Sequence, residues 1–232
     1  MTEALIDAGV EYPTSDGRPV AETPLHYRRL EEAWHALDMR FGSQPDVYVG
    51  ANMLVYDEPG NPARHLSPDL FVAFGVEDRE RDIYKLWEDA APSFVLEITS
   101  KTTSDEDERK KARYARWGVE EYFLYDPRAE YVKPPLQGFR LSRGAYRAIA
   151  TEILPNGKPG FLSDALGLGL WLDGAVLRIY DPGTSQNLST PREAEAKAAA
   201  AEARAAAAEA RAVAAETRQR RLEAELAELR NR

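Results

Sequence analysis

With 232 residues the chain has room for one medium domain plus an appendage, or for two small domains; its 44% hydrophobic and 30% charged residues are enough to bury a sizeable core. It has no cysteine, which excludes disulfides, thiolate zinc sites and thiol nucleophiles; its three histidines (His26, His35, His65) are too few for a His-rich metal cluster, so any metal falls to carboxylates, and Mg²⁺ or Mn²⁺ is favoured over Zn²⁺. The net charge of −9 argues against broad, non-specific adhesion to nucleic acid, although a local basic stripe and a bound divalent ion can still serve a nucleic-acid enzyme.

The opening MTEALIDAGVEYP places acids where a signal peptide would be basic, and no segment approaches the ~18 consecutive apolar residues of a membrane span, so a cytoplasmic protein with no membrane partner is expected. Residues 1–20 read as an irregular lead-in rich in turn formers. The segment HYRRLEEAWHALDMRF (26–41) then spaces Leu30, Trp34, Leu37 and Phe41 as one face of a helix. VYVGANMLVYDE reads as extended, PDLFVAFGV as a strand beginning at or near Asp69, and PSFVLEIT as a stronger strand. In that strand Val95, Glu97 and Thr99 share one face, and Phe94, Leu96 and Ile98 the other.

A second helix is predicted over SDEDERKKARYARWG, with Ser104 as N-cap, acids early, bases late and Gly118 as the stop. EYFLYDP is another strand, and Asn156-Gly157 and Asp173-Gly174 mark hairpins beyond it. The sum is an α/β (α+β) domain over residues 21–190, built on a central sheet. Composition changes near Pro191: from Arg192 to Arg232 there is no glycine, proline or aromatic residue, and alanine dominates, so residues 191–232 read as a helical tail.

Two acids stand in apolar settings. Asp69 opens LFVAF, and Glu97 lies inside FVLEIT. A carboxylate within a buried strand is costly to desolvate unless a metal, a lysine or a hydrogen-bond network compensates it. Asp69 also reads as an ordinary strand-start residue, and Glu97 as half of a structural ion pair with arginine. Cations follow at Lys101, Arg109, Lys110, Lys111, Arg113 and Arg116; most of them fit a solvated helix face, while one lysine aimed at Glu97 is the sharper expectation. Lys110 and Tyr114, four apart, share a face, with Trp117 three further on.

The strings SPDLFVAF, APSFVLEITS and DERKKARYARWGVEEYFLYDP, with Tyr84-Lys85-Leu86-Trp87 between the first two and LRIYDP later, resemble the Uma-two family of restriction endonucleases over roughly residues 26–191. That family lies within the PD-(D/E)XK nuclease superfamily. The resemblance implies a restriction-endonuclease-like mixed sheet flanked by helices, a DNA substrate and a divalent ion, Mg²⁺ or Mn²⁺. Carried over by position, Asp69 is the motif aspartate and Glu97 the second acid, with the Ile98 carbonyl as a further ligand. The superfamily pattern sets lysine two residues after the second acid, where this chain has Thr99. The resemblance assigns that part to Lys110, with Lys111 as the fallback, and an acid of the first helix (Glu31 or Glu32) sometimes completes such sites. An ion held there would polarise a phosphodiester and lower the pKa of a water, and the lysine would orient that water or balance charge on the phosphate. Two other readings stay open: a nuclease-fold protein that binds without cutting, and a glycosidase pair, which would want aromatic platforms near the acids.

The tail repeats every seven residues. Glu195, Glu202, Glu209, Glu216 and Glu223 fit heptad e positions, and Lys197, Arg204, Arg211 and Arg218 fit g. The seam is then Ala198, Ala205, Ala212, Gln219 and Leu226 at a, and Ala201, Ala208, Ala215, Leu222 and Leu229 at d. Each base precedes a glutamate by five residues, the spacing of a parallel coiled coil, so a homodimer through the tail is expected; the alternative is a solitary alanine helix.

Overall fold

In this computed structural model residues 5–7, 9–15, 23–99 and 104–230 are described. In chain order the elements are β1 (Leu5–Asp7), β2 (Val10–Tyr12), α1 (Pro24–Phe41), β3 (Val47–Ala51), β4 (Leu54–Tyr56), β5 (His65–Leu66), β6 (Leu70–Phe74), β7 (Ile83–Lys85) and β8 (Phe94–Ile98). After these come α2 (Ser104–Trp117), β9 (Glu121–Tyr125), β10 (Leu136–Ser142), β11 (Ala145–Ala148), β12 (Glu152–Ile153), β13 (Pro159–Ser163), β14 (Leu168–Asp173), β15 (Val176–Asp181), β16 (Gln186–Asn187) and α3 (Pro191–Arg230).

The centre is a six-stranded mixed sheet ordered β11-β10-β9-β8-β6-β3. β8 and β9 pair in parallel, with α2 as the crossover between them, while the other pairings in this sheet are antiparallel. Both central strands are buried along their whole length because both faces are covered. On one face Phe94, Leu96, Ile98 and Phe123 pack with α1, through Leu30, Ala33 and Leu37, and with Phe161, Leu170 and Ile179 of the five-stranded sheet β12-β13-β14-β15-β16. On the other, Phe71, Val95 and Tyr122 meet Tyr114 of α2, and Val55 and Tyr84 of the three-stranded sheet β5-β4-β7.

Sequence signals explain the ends of these elements. Thr23 caps α1 by accepting from the His26 N–H at 3.2 Å, with Pro24 next to it, and Gly118 (φ +86°) ends α2 in a conformation that suits glycine. Among the predicted turns, the one near Asp173 is shifted by a residue: Asp173 pairs with Val176, so Gly174 (φ +60°) and Ala175 form the loop. The amino-terminal lead-in is not irregular throughout. β1 and β2 form a hairpin, and Tyr12 is buried against Tyr56 and Trp87. Lys101 lies outside the described residues, and so does the side chain of Ser104.

The chain divides into two compact units, 1–188 and 189–232. The second is the single helix α3, whose start is set by a reciprocal cap. The Thr190 hydroxyl accepts from the Glu193 N–H at 3.3 Å, the Glu193 carboxylate accepts from the Thr190 N–H at 2.9 Å, and Pro191 takes the first helical position. Among the described residues no helix is long and apolar enough to cross a membrane.

Candidate active site

The site forms where β6 and β8 run side by side. Leu70 pairs with Leu96, so the next step of the ladder sets Asp69 opposite Glu97. Asp69 is fixed from two directions: its carbonyl accepts from the Asn52 N–H at 3.0 Å, and its Oδ2 accepts from the Ile98 N–H at 2.6 Å. In a strand the N–H and C=O of one residue leave on the same side. The Ile98 carbonyl therefore leaves β8 on the Asp69 side, while the Thr99 N–H turns the other way, to the Tyr125 carbonyl at 2.7 Å.

Glu97 is 2% exposed and stands on the face of the sheet that α2 covers. Lys110 Nζ approaches its Oε2 at 2.7 Å, and the Tyr114 hydroxyl donates to its Oε1 at 2.5 Å. One helical turn separates Lys110 from Tyr114, so a single face of α2 serves both oxygens. Burial pushes the Glu97 carboxyl up to about 8; Lys110 works against that rise, and the negative charge of Asp69 adds to it. Burial also pushes the Tyr114 hydroxyl well up, reinforced by Glu97, so it stays a donor.

The structure thus brings Asp69, Glu97, Ile98 and Lys110 together, but not the other residues the sequence nominated. One step along α2 from Lys110 turns the Lys111 side chain away. Its Nζ sits 3.5 Å from the centre of the Phe139 ring and 3.8 Å from Glu108. Glu31 is exposed, and Glu32 accepts from Arg29 at 2.6 Å; neither shows a contact with Asp69 or Glu97 among the described residues. What α1 presents to the site is His26, buried in its first turn, with Nε2 3.6 Å from Asp69 Oδ1. Three scattered histidines gave no cluster to notice; the available signal was the position of His26, two residues into a helix that begins at a Thr-Pro cap.

The same face of α2 engages a second, half-buried carboxylate. Asp57, just after β4, accepts from Arg113 Nε at 2.8 Å, Arg113 Nη2 at 3.0 Å and Trp117 Nε1 at 2.8 Å; Arg64 Nε is 3.2 Å away. Burial raises this carboxyl, but the hydrogen bonds from Arg113 and Trp117 and the charges of Arg113 and Arg64 outweigh it and hold Asp57 below its ordinary value.

The donor set fits a hard divalent cation. Asp69 and Glu97 are buried carboxylates, the Ile98 carbonyl adds a third oxygen, and thiols are absent from the sequence. Among the described residues no group of three or more histidine and acidic side chains is arranged to hold a metal. Two side chains and a carbonyl suit an ion that keeps part of its water shell, as Mg²⁺ does.

Comparisons with known proteins bear on the chain as a whole. No curated protein matches the chain. Among solved structures it is similar to a crystal structure described as a putative nuclease belonging to DUF820, from Anabaena variabilis, with 14% identity, 64% of this chain and 79% of that chain covered, and a TM-score of 0.42. A family profile described as "Uma2: Putative restriction endonuclease" matches residues 3–175, well over half of the 232. The match takes in every residue of the site, and the chain belongs to the Uma2 family of restriction-endonuclease-like nucleases.

Proposed function

We propose that the protein is a divalent-metal-dependent endonuclease that hydrolyses phosphodiester bonds in DNA, and that two copies associate through the tail. Asp69, Glu97 and the Ile98 carbonyl hold the ion, Mg²⁺ or Mn²⁺. When bound, the ion supplies Lewis acidity to the scissile phosphate. Lys110 holds its ammonium beside Glu97, where it orients an attacking water or balances charge developing on the phosphate. Tyr114 fixes the second Glu97 oxygen, and the Ile98 N–H fixes Asp69, so both carboxylates are pre-oriented.

The observation that carries this reading is the 2.7 Å approach of Lys110 to Glu97, which supplies from a helix the lysine that Thr99 does not supply from the strand. A second reading, a nuclease-fold protein that binds DNA without cutting it, draws on the fact that both Glu97 oxygens already have protein partners. One experiment separates the two. Supercoiled plasmid and single-stranded DNA are incubated with the protein in Mg²⁺ and in Mn²⁺, beside Asp69→Ala, Glu97→Ala and Lys110→Ala. Nicking that needs metal and is lost in all three variants supports the nuclease. DNA binding without cleavage, together with no metal uptake by calorimetry, supports the second reading. Cleavage that survives in all three variants overturns the site.

A further inference from the structure

The apolar stripe of α3 is exposed in a single chain, and its charges specify what covers it. Leu222, Leu226 and Leu229 are 51%, 56% and 67% exposed, and they fall at d, a and d of one heptad register. The flanks of this seam carry an ordered charge pattern with one reversal. The g positions read Lys197, Arg204, Arg211, Arg218 and then Glu225. The e positions read Glu202, Glu209, Glu216, Glu223 and then Arg230. In the last heptad both signs invert.

We propose that α3 pairs with α3 of a second copy in parallel and without stagger, and that the inverted last pair, Glu225 with Arg230, sets that alignment. The inference rests on the self-association proposed above and adds its geometry. In a parallel pair each g residue meets the e residue five positions further along the other helix. Lys197 then meets Glu202 of the second copy, Arg204 meets Glu209, Arg211 meets Glu216, Arg218 meets Glu223, and Glu225 meets Arg230; all five contacts join opposite charges. An antiparallel pair sets g against g and e against e, which opposes bases to bases and acids to acids along the alanine stretch.

The reversal matters because the alanine seam cannot choose a register. From Ala198 to Ala215 every a and d position is alanine, so a slide by one heptad leaves that packing unchanged. The same slide, in either direction, sets Arg218 of one copy against Arg230 of the other on one flank and Glu225 against Glu223 on the opposite flank. It also moves Gln219, a polar a residue, off its own counterpart. The polar contacts within one helix, the Arg221–Glu225 ion pair at 3.2 Å and the hydrogen bond from Gln219 to Glu223 at 2.9 Å, are exposed and compete weakly. Glu225 and Arg230, five residues apart, do not face each other on a single helix, so any coupling between them reports the second copy.

The whole 232-residue chain serves for the test, and its lack of cysteine makes it a clean background. Light scattering is expected to give twice the 25.9 kDa chain mass, and Leu222→Asp with Leu226→Asp to return it to the monomer. Ala215→Cys, at a d position, is expected to form a disulfide-linked dimer under mild oxidation. Glu225→Arg alone and Arg230→Glu alone should each weaken association about threefold to tenfold in sedimentation runs, and the double swap should restore it. A monomeric wild-type protein would overturn the self-association reading itself. A dimer in which Ala215→Cys does not cross-link and the double swap only adds the two losses would overturn the parallel, unstaggered geometry and leave self-association standing.

Discussion

Asp57, half-buried, and Glu97, fully buried, are carboxylates held by the same face of the same helix, yet their environments push them in opposite directions. Asp57 receives both arms of the Arg113 guanidinium and the Trp117 indole, and its pKa falls. Glu97 receives one ammonium and one hydroxyl beside the charge of Asp69, and its pKa rises to about 8. Positions 110, 113, 114 and 117 supply the four partners that come from α2, a helical i, i+3, i+4, i+7 set, and Arg64 adds a fifth to Asp57. The first carboxylate is fully compensated and ties α2 to β4. The second is compensated only in part, so a cation held there, as proposed, would lower its free energy. Depth of burial, together with donor number and charge, separates the clamp from the candidate catalytic group.

The largest break in this comparison comes at the under-compensated side. Glu97→Gln keeps the shape of the side chain and removes a ligand charge; plasmid nicking is expected to fall by at least about 10²-fold, with a cooperative thermal melt retained. Asp57→Ala should do the reverse. It strands a largely buried guanidinium and so costs about 3 kcal/mol, or about 6–12 °C in Tm by calorimetry.

The two groups should also titrate with opposite signs. The folded pKa of Asp57 lies below its unfolded value of 3.8, so its contribution is present above that value and drains as the pH falls through the acid range. Asp57→Asn should therefore flatten the acid limb of a denaturant-stability profile. Glu97 is raised from 4.5 to about 8, so its contribution is present below 4.5 and is lost as the pH rises toward 8. Chelator-treated Glu97→Gln should gain on the wild type across that interval; a constant difference between pH 5 and 8 would refute the assigned shift. Smaller still is the transplant Thr99→Lys in a Lys110→Ala background, expected to recover part of the lost cleavage from the strand position. The smallest effect belongs to Glu31→Ala. Its side chain is exposed, so cleavage should be unchanged and stability should move by less than about 0.5 kcal/mol.

Much of this was legible in the sequence, for identifiable reasons. β6, β8 and β9 are apolar runs bounded by turn formers, and α2 carries a charge gradient that ends at Gly118; such patterns are local and strong. Glu97 stood out because its neighbours are apolar, and the i, i+4 spacing linked Lys110 to Tyr114 before their shared partner was visible. The rest depends on contacts distant in the chain. Asp57, in the polar turn string YDEPG, gave no hint that Arg113 would reach it from 56 residues away. β1 and β2 are three residues each, too short for alternation to show. The i, i+4 relation to Tyr114 favoured Lys110 over Lys111 in sequence, but that Lys111 would settle over the Phe139 ring depended on a strand distant in the chain. His26 acquires meaning only when α1 is laid against the end of β6.

The reciprocal cap between Thr190 and Glu193 has a practical consequence. It writes the start of α3 into four consecutive residues, and the seam and its charges all lie downstream of it. Segment 189–232 is therefore a portable part. Appended to an unrelated monomer, it would bring its own initiation signal and its own rod of about 60 Å, and the pairing proposed above would be tested there free of the rest of the chain.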